Sequence, residues 1–303
     1  MNGRRMEWTA VVGLAVAAMA GAGKAAEPCF AGLCRSSYEL KDRAQDDAWW
    51  AERARFVATR MSTSTRPVTP VVVQVVGIGL DTGACRMEFA RPGGIPSDPP
   101  GMEFKADARI DHGRALDAYA RQGVKAILQV EPAKADVVEA LRIVHRVFGR
   151  HPAVTGYGVD AAWHRKGEAG DKPGLPVTDR DAEGWMLAVE SMGPGRTLFL
   201  EHWKPEHLPP AYRHPRLWFL SNSQGFEGAD AMVKDLRAWA DAFKKQPVGF
   251  VVGFAADEPW WQKLADPPTE VGLRLLRGVP NARFVLWSGS TADRIPAGTP
   301  ARR

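Results

Sequence analysis

The sequence predicts an α/β protein built as a (β/α)8-like barrel of the TIM type, irregular at its first strands. Three observations predict it. Apolar runs of five to eight residues recur along the chain, stretches of helical periodicity lie between them, and the two alternate from residue 111 to residue 287, with a Pro-rich loop in place of a helix before residue 216. Continuous apolar runs fit strands covered on both faces, as parallel strands are. Strands alternating with helices join into one parallel sheet. An open doubly wound sheet shares this pattern. The residues that would cradle a phosphate there are missing, because Gly77-Ile78-Gly79-Leu80-Asp81 lacks a third glycine and opens no helix.

In order, residues 37–60 read as a helix whose contacts come from Trp49, Trp50, Arg53 and Phe56, and 62–70 as a Ser/Thr/Pro-rich connector. The β-branched run 70–77 reads as the first buried strand. Residues 85–90 form a second strand candidate, although the link from the first is too short for a parallel crossover of about ten residues. Four prolines and three glycines make 91–101 a loop. Helices are then expected at 111–122, 136–149, 178–191, 228–245 and 269–277, and strands at 124–130, 154–159, 196–202, 216–222, 247–254 and 282–287. Thr178 and Asp179 precede the turn 181–183 and mark a helix start, and Gly193 follows that helix. Seven strands are clear, and the eighth rests on 85–90.

The rest of the chain divides by composition. Residues 1–26 read as a signal peptide: Arg4 and Arg5 precede an apolar run from Thr9 to Met19, and Ala20-Gly21-Ala22 offers a small-residue cleavage site. The expectation is an exported, periplasmic or extracellular protein with no stable membrane span after cleavage. Residues 27–69 are the N-terminal helix and connector, 70–291 the barrel, and 292–303 a disordered tail. The net charge of +5 carries no block of like charge, so no nucleic-acid footprint is indicated. The three cysteines are Cys29, Cys34 and Cys85. In an oxidising compartment Cys29–Cys34 is the preferred disulfide and Cys29–Cys85 the alternative. No cofactor is indicated, and a monomer is expected.

Strand C-terminal ends and the loops after them carry chemistry in such barrels. Reading those ends gives Glu131, Asp160, Glu201, His202, Trp203, Gln224, Asp257 and Trp287. Carboxyls converging on one mouth suit glycoside hydrolysis, in which one protonates the leaving oxygen and another acts as nucleophile or base. Any single acid of this kind is as often an N-cap or ion-pair partner. Glu258 is read so, because Pro259 favours the first position of a helix. Among eleven tryptophans, Trp163, Trp203, Trp260, Trp261 and Trp287 lie at or just past strand ends, where flat apolar rings suit sugars; many tryptophans instead anchor cores and loops. His164, His202 and His207 lie on different loops and match no standard metal spacing. No Gly-x-Ser-x-Gly elbow is present.

The segments 123–132, 151–163, 198–203, 223–226 and 247–261 resemble an uncharacterised family of secreted bacterial and archaeal (β/α)-barrel proteins that itself resembles glycoside hydrolases. The resemblance covers 123–291. It implies a Val-Asp-x-Glu-Trp ending on the strand of Asp160, similar to chitinase-type glycosidases, in which the Asp supports a catalytic Glu two residues on. Here Asp160 matches the Asp, but Ala162 stands where the Glu is expected, and Glu201 stands where the family has a Lys. The reading is a polysaccharide-acting barrel with Asp160, Glu131 and Glu201 as its acids. Gln224, Asp257, Trp163, Trp203, Trp287 and His202 would bind the sugar. The alternative is a non-catalytic carbohydrate-binding or cell-envelope protein that has lost its acid at 162.

Overall fold

The computed structural model describes residues 28–37, 46–166 and 173–296, so the leader lies outside the described residues. In chain order the elements are β1 (Cys29–Arg35), α1 (Asp47–Met61), β2 (Val68–Gly79), β3 (Cys85–Met87), β4 (Met102–Phe104), α2 (His112–Arg121) and β5 (Lys125–Val130). Then come α3 (Val137–Phe148), β6 (Val154–Asp160), α4 (Asp179–Ser191), β7 (Thr197–Glu201), β8 (Leu217–Ser221) and α5 (Ala229–Ala240). The chain closes with β9 (Val248–Val252), α6 (Glu258–Trp261), α7 (Pro267–Gly278) and β10 (Ala282–Trp287).

Eight parallel strands close on themselves in the order β1, β2, β5, β6, β7, β8, β9, β10, with β10 pairing back onto β1. This is a TIM-type (β/α)8 barrel. Period-two alternation decides which side chains enter it. Val71, Val73, Ile127, Phe199, Trp218, Leu220, Val251, Phe284 and Leu286 fill the interior. Their neighbours Val72, Val76, Leu128, Tyr157, Leu198, Phe219 and Phe250 face the helices. Helix starts follow side-chain caps: Asp46, Asp111, Asp136 and Asp266 each accept a backbone N–H of the first turn. Thr178 and Asp181 form a full capping box.

The start of the barrel corrects the sequence expectation. The eighth strand is β1, within the segment read as N-terminal helix and connector, so the barrel begins at Cys29 and not at residue 70. Residues 85–87 do form a strand, but β3 runs antiparallel to β2 as a hairpin outside the closed ring. The short link, which forbids a parallel crossover, allows that hairpin. The helix expected from residue 37 begins at Asp47, with residues 38–45 outside the described set. Cys29 and Cys34 occupy one extended strand. At about 3.3 Å per residue they stand roughly 16 Å apart, far beyond disulfide reach. Residues 289–294 form a short 3-10 turn with Ala292 buried, so the expected disordered tail does not start at 292. No helix among the described residues is long and apolar enough to cross a membrane.

Candidate active site

Three neighbouring strands deliver three acids to the C-terminal mouth. Alternation sets their direction. Glu201 lies two residues beyond Phe199, an interior residue, and Asp160 is its register partner on β6. Parallel register partners point to the same side of the sheet with about 4.8 Å between strands. Asp160 and Glu201 therefore stand side by side above the packed interior. Glu131 follows β5 directly. Its N–H donates to the Gly77 carbonyl at 2.9 Å, and its Oε2 accepts the Gly79 N–H at 2.9 Å. All three are buried, at 2% exposure for Glu131, 9% for Asp160 and 6% for Glu201.

Glu201 is cradled by amides. Gln129 Nε2 donates to Glu201 Oε2 at 3.1 Å, and the Asn222 side chain also donates to this carboxyl. The Gln129 bond runs from β5 to β7 across the intervening strand β6. On β6 between them, Gly158 makes room for the Phe199 ring, which a Cβ there would meet at 2.1 Å. Asp160 Oδ1 accepts the Ala162 N–H at 2.9 Å.

Burial, which penalises the charged form, governs the electrostatics of the pair. It raises the Asp160 carboxyl to about 7, against the Ala162 N–H and the more distant Lys166, which favour ionisation. Burial also lifts Glu201 well above the usual carboxylate range, and the charges of Asp160 and Glu131 add to the effect against the two amide donors. Such neighbours titrate as a pair. Both shifts run upward, so the pair favours its protonated form, and the charges of Asp160 and Glu131 push Glu201 further in that direction.

The remaining expected residues fall in different places. Asp257 is buried and ties loops together. Its Oδ1 accepts the N–H groups of Gly225 at 3.0 Å and Phe226 at 2.7 Å, so its bonds run to the loop beyond β8 and not to the three acids. That clamp holds the loop on which exposed Gln224 sits. Trp203 is 39% exposed and stacks on His202, with ring centroids 4.3 Å apart. His202 is fully buried between Trp203 and His207, and its Nδ1 accepts the Lys204 N–H at 2.8 Å. Burial first, then His207 and Lys204, push it down to about 3. His202 is therefore a neutral support for Trp203, with no surface for a sugar. Trp163 packs against Gly79 on one side, and Lys166 lies 4.1 Å from its ring centroid.

Trp287 does not form a stacking floor. It is fully buried on the helix-facing side, edge-on to Trp261 at 5.1 Å, with Nε1 donating to Thr291 Oγ1. Glu258 opens α6 and pairs with Arg294, as Pro259 implied. No group of three metal-ligating side chains occurs among the described residues. Sequence reading missed Gln129 and Asn222. Gln129 had a signal, a polar residue inside the apolar run Ala126-Ile127-Leu128-Gln129-Val130.

No family model matches the sequence, and no curated protein matches it. Solved structures with a similar course of chain include an endocellulase from Pyrococcus horikoshii, at TM-score 0.46 and 13% identity over 86% of this chain and 84% of that one. They also include the catalytic domain of a hyperthermophilic chitinase from Pyrococcus furiosus, at TM-score 0.41 and 10% identity over 86% of this chain and 84% of that one. SrfJ from Salmonella typhimurium matches at TM-score 0.43 and 9% identity, over 86% of this chain and 64% of that one. Likeness at this level describes the path of the backbone and carries nothing about chemistry.

Proposed function

We propose that this barrel is a glycoside hydrolase acting on an extracellular polysaccharide. The observation that carries the reading is the buried carboxyl cluster of Glu131, Asp160 and Glu201, with Asp160 and Glu201 in register on adjacent strands. Glycosidic cleavage needs one carboxyl that is still protonated at working pH and a second that is not its donor. Glu201 is the acid that protonates the leaving oxygen. Asp160 is its charge partner and keeps the proton on the pair. Glu131, fixed by the Gly79 N–H, supplies the second carboxyl. The exposed face of Trp203 receives the apolar face of a sugar ring, and Gln224 reaches its hydroxyls. Residues 1–26 act as the export signal in this reading.

The test is sugar release by the purified mature chain from a panel of soluble polysaccharides, run beside Glu201→Gln. Release from at least one glycan that disappears in the variant supports the assignment. A second reading, a carbohydrate-binding protein without turnover, rests on Ala162, whose place in the resembled family holds the acid. It forecasts binding to a glycan and no release by the wild type.

A further inference from the structure

Gln129 is a polar residue in the apolar strand β5, and its neighbours fix where it points. Ile127, two residues earlier, fills the barrel interior, as does Phe199, two residues before Glu201. Period-two alternation therefore turns Gln129 and Glu201 toward the barrel axis, one step above that apolar layer, on strands separated by β6. The register partners of Gln129 are Val75 on β2 and Gly158 on β6, neither of which has a polar side chain to offer it. Gln129 is 4% exposed, and its Nε2 donates to Glu201 Oε2 at 3.1 Å. The bond joins side chains 72 residues apart in the chain.

Packing does not account for an amide here. Leucine or methionine would fill the same space, and a buried amide is costly unless its polar groups are bonded. The direction of the bond is informative. An N–H donor favours the ionised carboxyl. Burial, with the charges of Asp160 and Glu131, favours the neutral one. The tie to Gln129 therefore opposes the rest of its surroundings, apart from the Asn222 donor. That opposition suits a group that must release a proton in place. Once ionised, Glu201 is a buried charge beside two other carboxyls. A hydrogen bond to an ionised oxygen is shorter and about twice as strong as one to a neutral oxygen. The bond therefore strengthens as the proton leaves, and an interaction that grows along the reaction lowers its barrier.

We infer that Gln129 is a positioning residue for the acid: it fixes the Glu201 carboxyl and stabilises the carboxylate that remains after proton transfer. In that step the proton passes from Glu201 to the glycosidic oxygen. The bond from that oxygen to the anomeric carbon breaks, its electron pair stays on the oxygen, and the anomeric carbon takes the second carboxyl or a water activated by it. Gln129 acts through Glu201 and touches no sugar. The role rests on the reading of Glu201 as the acid.

Gln129→Met tests it, because methionine keeps the length and removes the donor. Carboxyl-carbon NMR of the full chain follows the titration of Glu201, whose signal is the one missing from Glu201→Gln. Sugar release from the polysaccharide panel gives kcat, KM and the pH profile. Loss of a donor to the charged form should move the Glu201 titration up by about one pH unit, and the alkaline limb of kcat with it. On the plateau below that limb kcat should fall about tenfold, with KM unchanged. If Gln129→Met does not fold by circular dichroism, Gln129→Asn serves, since it keeps the amide but is one methylene too short for the bond, and the same shifts are expected. An unmoved titration and pH profile, with only Tm lowered, reduces Gln129 to packing and overturns the inference. If Glu201→Gln abolishes release in that case, the catalytic reading stands without it. A titration that moves in a protein that releases no sugar does the reverse: it upholds the hold of Gln129 on Glu201 and sinks the glycosidase reading.

Discussion

Glu201 stands where two amide donors and two other carboxyls meet, and its chemistry follows from that crowding. Glu201→Gln keeps the shape but removes the acidic proton that could be transferred. Sugar release should fall about 10²–10⁴-fold with ligand binding retained, measured as kcat against Kd. Ala162→Glu, run alongside, restores a trace of release only if the wild type has none. Asp160→Asn isolates the electrostatic coupling. The Asp160 charge raises the Glu201 carboxyl, so removing it should move the alkaline limb of the pH–rate profile to lower pH. An unmoved limb would show that Asp160 does not tune the acid. The acids themselves were legible in the sequence as polar punctuation at the ends of apolar runs. The amides were harder. Gln129 interrupts a strand and signals itself, whereas Asn222 follows Ser221 in an ordinary loop start and has meaning only once β7 and β8 lie side by side. Trp287 misled because a strand-end position does not say which face the ring takes.

At the scale of elements, β1 closes the barrel and was the least legible strand. Cys29-Phe30-Ala31-Gly32-Leu33-Cys34-Arg35 contains no β-branched residue, so its propensity is weak, and its conformation comes from pairing with β2 on one side and β10 on the other. The run 71–73, three valines, needed no such help. Gly32 shows how close that closure is. A Cβ there would fall 1.7 Å from the Val71 carbonyl oxygen, a backbone atom that has no rotamer to yield. Gly32→Ala should therefore destabilise the protein by about 3 kcal/mol, or roughly 10 °C in Tm at this chain length. Gly184 in α4 is the counter-case, with nothing within 4 Å of its ideal Cβ. Gly184→Ala should gain about 0.5–1 kcal/mol from helix propensity alone. Differential scanning calorimetry of both variants checks the pair, and equal shifts for the two would refute the crowding at Gly32. The hairpin β2–β3 makes the same point about legibility. Its residues were read as a strand, but direction depends on the link length, and only a tight turn fits there, built with Gly83 at φ 84°.

The whole molecule stores the cost of its buried acids as a pH dependence of stability. Asp160, at about 7, has a folded value above its ordinary 3.8. Between those values the folded state binds more protons than the unfolded chain, so the associated stability is full below pH 4 and is lost as pH rises through 7. Each pKa unit is worth about 1.4 kcal/mol, so the coupled pair costs on the order of a few kcal/mol by pH 8. Glu201 acts in the same direction. Buried histidines oppose them. Burial pushes His112 and His164 down to about 4 and His202 to about 3, so the stability they carry is present above about pH 6.5 and is lost as pH falls through those lower values. The two sets overlap between pH 4 and 7, and the wild-type Tm profile there is their difference. Asp160→Asn/Glu201→Gln removes only the acids. The double variant should match the wild type near pH 4 and become progressively more stable than it up to pH 8, leaving the histidine-driven loss on acidification exposed. Thermal unfolding across pH 4–8 reads this directly. A stability gap that stays constant with pH would mean that the two carboxyls titrate normally in the fold, and the proton assigned to Glu201 as an acid at neutral pH would have to be withdrawn.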